Sequence, residues 1–256
     1  MLWVYALPTW IFVALAVVAL SGGATLCHVA LRRRGWRGFR EHNDITGFIL
    51  TIVGAIYAVV LGFVAVVVWE QYEGSRQNEQ HEVNSLSSLY HMSLAFRPQT
   101  RARLRGEIGT YLRIVVDDEW PKMRDGGESR DASDAASQIV DTVIGLQKNT
   151  FNPSVAVETL GIARTFMDAR RQRLQDNSSG IPPLLWVVLL GGAAITIGFG
   201  YLFGIENLRF HATSTACTAA IIALMLALVA RLDYPFRGDS GIPVTDFAVA
   251  AHALPR

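Results

Sequence analysis

The stretch HNDITGFILTIVGAIYAVVLGFVAVVVWEQY, His42 to Tyr72, decides the reading of the fold. The 25 residues from Ile45 to Trp69 carry no charge. At about 1.5 Å rise per residue such a helix exceeds the ~30 Å hydrocarbon core of a bilayer. Asn43 or Asp44 stands where a helix cap belongs, and Trp69 with Tyr72 suits the water–lipid boundary. Gly47, Thr51, Gly54, Ala58, Gly62 and Ala65 follow one another at steps of four, three, four, four and three. That spacing places the small residues on one stripe, against which another helix can approach closely.

Three more apolar blocks lie outward from this one, at about 9–31, 184–203 and 212–232. The chain is 51% hydrophobic and 18% charged, and the apolar residues are gathered in blocks rather than dispersed as in a soluble core. The first block has its arginines after it, so it reads as a retained helix and not a cleaved signal. In the fourth, alanines at 212, 216, 219, 223, 227 and 230 repeat the same steps, so Ala216, Ala223 and Ala227 are expected at a helix contact. The two cysteines, Cys27 and Cys217, fall within spans and are expected to be buried small hydrophobes. Arg231 and Asp233 are expected at the interface, snorkelling or paired.

Arg32, Arg33, Arg34, Arg37 and Arg40 crowd the loop 32–44. Short basic loops stay in the cytoplasm, and the interleaved Trp36 and Phe39 suit contact with anionic lipid. This places the segment between spans two and three outside the cytoplasm of a bacterial inner membrane. Arg170, Arg171 and Arg173, close before the third span, argue for the other orientation.

From 70 to 183 the chain is polar and helix-patterned. Val83, Leu86, Tyr90 and Leu94 continue the second helix, and Leu104, Ile108, Tyr111 and Val115 mark another that closes at DDEWP, where Pro121 stops it. Ile139, Val143 and Leu146 give a third, and Asn152–Pro153 opens a fourth reaching Leu174. The expected architecture is all-α. Spans one and two occupy 1–69, a helical extramembrane domain 70–183, and spans three and four with a Pro- and Gly-rich tail 184–256.

No catalytic motif, metal-ligand spacing or cofactor-binding loop is present, so neither enzyme nor cofactor is expected. Asp117, Asp118 and Glu119 read as a solvated helix end rather than a cation site. The formal net charge of +1 gives no pull toward nucleic acid. Apart from His28, the span interiors carry no ionisable side chain, which disfavours a proton- or sodium-coupled transporter. A pore gated by apolar side chains remains, with Thr51, Tyr57, Leu61 and Val64 as its candidate lining. The partners expected are the lipid bilayer, further copies of the chain and an inorganic ion. The rival is a membrane-anchored sensor or scaffold whose helical domain binds a partner.

HNDITGFILTIVGAIYAVVLGFVAVVVWEQY, DDEWP, LWVVLLGGAAIT and LDYPFRGDSGI together resemble the bestrophin-like family of bacterial membrane proteins. The resemblance implies distant similarity to bestrophin anion channels, which are oligomers with four membrane helices per subunit and a pore lined by the second. It also implies a cytosolic large domain, against the loop-charge reading.

Overall fold

A computed structural model describes residues 3–36, 38–146 and 153–254, so Arg37 and the Asn152 cap lie outside the described residues. Its helices are α1 (Trp3–Ala6), α2 (Thr9–Arg33), α3 (Asn43–Met92), α4 (Pro98–Ile114), α5 (Trp120–Arg124), α6 (Arg130–Leu146), α7 (Pro153–Ser178), α8 (Pro183–Gly200), α9 (Leu208–Leu232) and α10 (Thr245–Ala253). There is no strand among the described residues. Helices α2, α3, α8 and α9 are each long and apolar enough to cross a membrane. This is an all-α integral membrane protein with four spans.

One unit comprises Met1–Glu70 and Gly180–Asp233. Within it α2 and α9 form the most closely packed helix pair. Ala219, Ala223 and Ala227 are buried on α9 and Ala216 is half-buried, so this face of α9 is turned into the unit. Helix α3 turns Tyr57, Leu61, Val64 and Val68 inward, into a core shared with Leu189, Ala193 and Ile197 of α8 and Ala219 and Ile222 of α9. The Tyr57 ring lies over Gly192, where a Cβ would come within 2.3 Å of it. Its hydroxyl donates to the Leu189 carbonyl at 3.1 Å. Only glycine at 192 admits the ring, and the buried phenol requires that acceptor.

At one end of these helices the basic loop meets the α8–α9 turn. Phe39 N–H donates to the Leu202 carbonyl at 2.9 Å, Trp36 Nε1 to the Tyr201 carbonyl at 3.1 Å, and Gly204 N–H to Asn43 Oδ1 at 2.9 Å. Asn43 is thus the first residue of α3 and braces a neighbouring turn instead of capping its own helix. Gly38 has φ +68°, and a Cβ there would sit 2.4 Å from the Phe203 carbonyl oxygen, which only glycine tolerates. Arg32 donates to the Ile205 carbonyl and Arg40 pairs with Glu206, while Arg33 and Arg34 are exposed.

One expectation fails in this unit. Cys27 and Cys217 are exposed, on helix faces away from the packed core. Arg231 and Asp233 are buried. Arg231 donates to the Leu7 carbonyl at 2.7 Å, and Asp233 accepts from Ile181 N–H at 2.6 Å, so each satisfies a backbone group where a helix ends.

The other unit comprises Gln71–Ser179 and Tyr234–Arg256. Here DDEWP does not end a helix. A π-turn at Val115–Glu119 carries α4 into α5, and the run continues to Arg124. Proline lacks the N–H a regular turn would use, and the widened turn accommodates Pro121. It also brings Glu119 and Trp120 both inward, with Trp120 against Phe236 at 5.6 Å and Phe247 at 5.5 Å between ring centroids. Trp120 Nε1 donates to the Ile242 carbonyl at 3.2 Å. The segment after Tyr234 therefore folds onto DDEWP, and α10 follows it.

Candidate functional site

Three faces of α3 can be told apart between Ile45 and Trp69. The inward face bears Tyr57, Leu61, Val64 and Val68, with Leu61 5% exposed. Of the expected pore-lining set, these bulky members are buried inside their own copy, and only Thr51 is exposed. Within one copy, then, Tyr57, Leu61 and Val64 belong to a packed core, with Tyr57 and Leu61 also at the edge of an open groove. They pack against α8 and α9 because these are the neighbours able to bury large apolar side chains and to accept the phenol hydrogen.

Roughly a quarter turn away, at about 100° per residue, runs the small-residue stripe. Ala58 is exposed, Gly47, Gly54, Gly62 and Ala65 are half-buried, and no atom of this copy would meet a Cβ added at Gly54 or Gly62. Beside Gly54 and Ala58 a groove of about 270 Å³ opens, bounded also by Ile221 and Met225 of α9. Residues of α9 flank this groove without filling it. The third face, opposite the core, carries Ile52, Val59 and Val66, with Val59 57% exposed. Its flank bears Ile49, Ile56 and Phe63, all exposed.

The same unit holds a polar pair that the sequence reading missed. His28 on α2 and His211 on α9 are both buried, with ring centroids 4.0 Å apart. His211 was expected just outside the fourth span, but α9 begins at Leu208, where the Asn207 side chain accepts from the Arg209 and Phe210 N–H groups. The signal was the asparagine, a helix-capping residue four positions before His211.

In the helical unit the charged residues of DDEWP and α7 converge. Arg170 makes a two-pronged pair with Glu119, both bonds 2.7 Å, and donates to the Tyr111 hydroxyl at 2.8 Å. Arg173 donates to Glu82 Oε2 at 2.7 Å and to Glu119 Oε2 at 2.9 Å. Tyr111 donates to Glu82. Arg173, Glu82 and Glu119 are all 0% exposed. Arg170 and Arg173 are thus interior residues, and Glu119 is no solvated helix end. Burial alone would raise the Glu119 carboxyl, yet hydrogen bonds from Arg170 and the charge of Arg173 hold it below the usual carboxylate range. The network balances two guanidinium groups against two carboxylates.

The bestrophin-like domain family matches residues 15–247. No curated protein matches the chain. Among solved structures, a point variant of the bacterial bestrophin homologue from Klebsiella pneumoniae aligns with a TM-score of 0.70 at 11% identity, over 95% of this chain and 97% of that one. The same homologue phased from zinc aligns with a TM-score of 0.70 at 11% identity, over 95% and 96%. A variant described as a membrane protein gives 0.71 at 11% identity, over 97% and 98%. Identity this low shows a common fold and nothing finer, but the family match runs from the first span to α10, and the chain belongs to the bestrophin-like family.

Proposed function

We propose that this protein is a subunit of an oligomeric ion channel whose path runs along α3. The observation that carries this reading is the pair of free faces on α3: a small-residue stripe left open at Gly54 and Gly62, and an apolar row opposite its core. In a closed ring, one flank of each α3 meets the opposite flank of the next. Gly54, Ala58 and Ala65 then receive Ile49, Ile56 and Phe63 of a neighbouring copy, small against large. That contact turns Ile52, Val59 and Val66 toward the axis, where an uncharged ring gates by dewetting. The resemblance to bestrophins points to an anion as cargo.

Leucine at 54 or 62 fills the stripe, so Gly54→Leu and Gly62→Leu should assemble as smaller species in detergent, with Val60→Leu close to the parent. The ion is tested by chloride efflux from vesicles holding purified protein. Efflux absent from well-assembled protein would favour the scaffold reading.

For orientation we infer an inner membrane with the helical unit outside the cytoplasm. The exposed Arg33 and Arg34 support this, while Arg170 and Arg173 are taken up in the buried network and Arg171 alone of the three stays exposed. A cytoplasm-only fluorescent reporter fused after Arg256 should stay dark; a bright fusion reverses the orientation.

A further inference from the structure

Glu79 lies on α3 ten residues, or about 15 Å, beyond Trp69, so it stands outside the apolar span. It is 2% exposed, and its Oε1 has no hydrogen-bond partner. Its carboxyl faces that of Asp246 in the first turn of α10, within hydrogen-bonding reach. The charged groups around it are Asp246 on α10, Arg173 on α7 and Glu82 on α3 itself. Arg173 is already held by Glu82 and Glu119, and with Arg170 it balances those two carboxylates. Arg173 is the one positive charge among the groups acting on Glu79, and its own hydrogen bonds go to other carboxylates. Two ionised carboxylates at this separation repel strongly once water is excluded. A proton on Glu79 converts the repulsion into a donor–acceptor pair.

We propose that Glu79 keeps its proton and donates it to the Asp246 carboxylate, and that loss of this proton releases the first turn of α10 from α3. A divalent cation is the weaker occupant, since calcium takes six to eight oxygens and this site offers two carboxyls beside an arginine. Burial first, and then the Asp246 charge, push the Glu79 carboxyl up from its ordinary 4.5 to about 8. A carboxyl raised on folding stabilises the folded state fully below its unfolded value, and that contribution is lost as pH rises through the folded one. The latch therefore weakens progressively above 4.5 and opens as pH passes about 8.

Infrared spectra of the full chain in detergent test this directly. A protonated-carboxyl stretch should be present near neutral pH and vanish through about 8. Glu79→Gln should remove it, and Asp246→Asn, which deletes the repelling charge, should move its loss to lower pH. Hydrogen exchange over Phe247–Ala251, corrected for base catalysis, should rise over the same interval in the parent and stay flat in Glu79→Gln. The proposal is overturned if no carboxyl titrates there, or if both variants keep the parent's band and its midpoint. Calcium restoring protection at alkaline pH would overturn it in favour of a cation.

Discussion

Arg173→Ala is expected to destabilise the helical unit by about 3–5 kcal/mol, the cost of leaving buried carboxylates without their counter-charge. Glu82 and Glu119 are both 0% exposed and both bonded to Arg173. Arg170 reaches Glu119, so Glu82 would keep only the Tyr111 hydroxyl from this network. The guanidinium also packs over Trp120 at 5.4 Å and Phe247 at 5.3 Å, so truncation removes packing as well as charge. Arg171, two positions away with a 71% exposed side chain, pairs only at the surface with Asp168. Arg171→Ala should therefore stay within about 0.5 kcal/mol of the parent. Thermal unfolding of both variants in detergent checks the contrast. Equal midpoints would mean that the buried network contributes little to this unit.

The second large effect concerns the axis face of α3. Val59→Ser places a hydroxyl at mid-span in every copy of the ring, where an apolar constriction keeps water out. Wetting such a constriction lowers its barrier, so single-channel or macroscopic current should rise severalfold over the parent. Leu61→Ala, by contrast, empties a buried site between α3 and α8. It should act on stability, by about 2–5 kcal/mol, with no gain of current. Raised current from Leu61→Ala with a silent Val59→Ser would return the pore to the face now assigned to the core.

The four spans, the all-α class and the projecting second helix were legible because apolar residues in blocks and at helical spacing report burial directly. Charged positions gave no such signal. Glu82 precedes Leu86 by four, and Arg170 follows Phe166 by four, so both continue buried rows of their helices. Apolar residues alone define such a row in the sequence, and its charged members pass for solvent-facing ones. The π-turn at Val115–Glu119 shifts the register by a residue, which no periodic template anticipates. The packing of Tyr57 was hidden for a different reason: its acceptor is the carbonyl of Leu189, 132 positions along the chain, and long-range pairing leaves no local trace.

Thiol modification in a bilayer tests the conduction path most directly. With the exposed Cys27 and Cys217 replaced by alanine, Val59→Cys and Leu61→Cys each supply one reporter on opposite faces of α3. A charged, membrane-impermeant thiol reagent should abolish current through Val59→Cys and leave Leu61→Cys unchanged. Block confined to Leu61→Cys, or currents from both that ignore the reagent, would contradict a path along the outward face of α3.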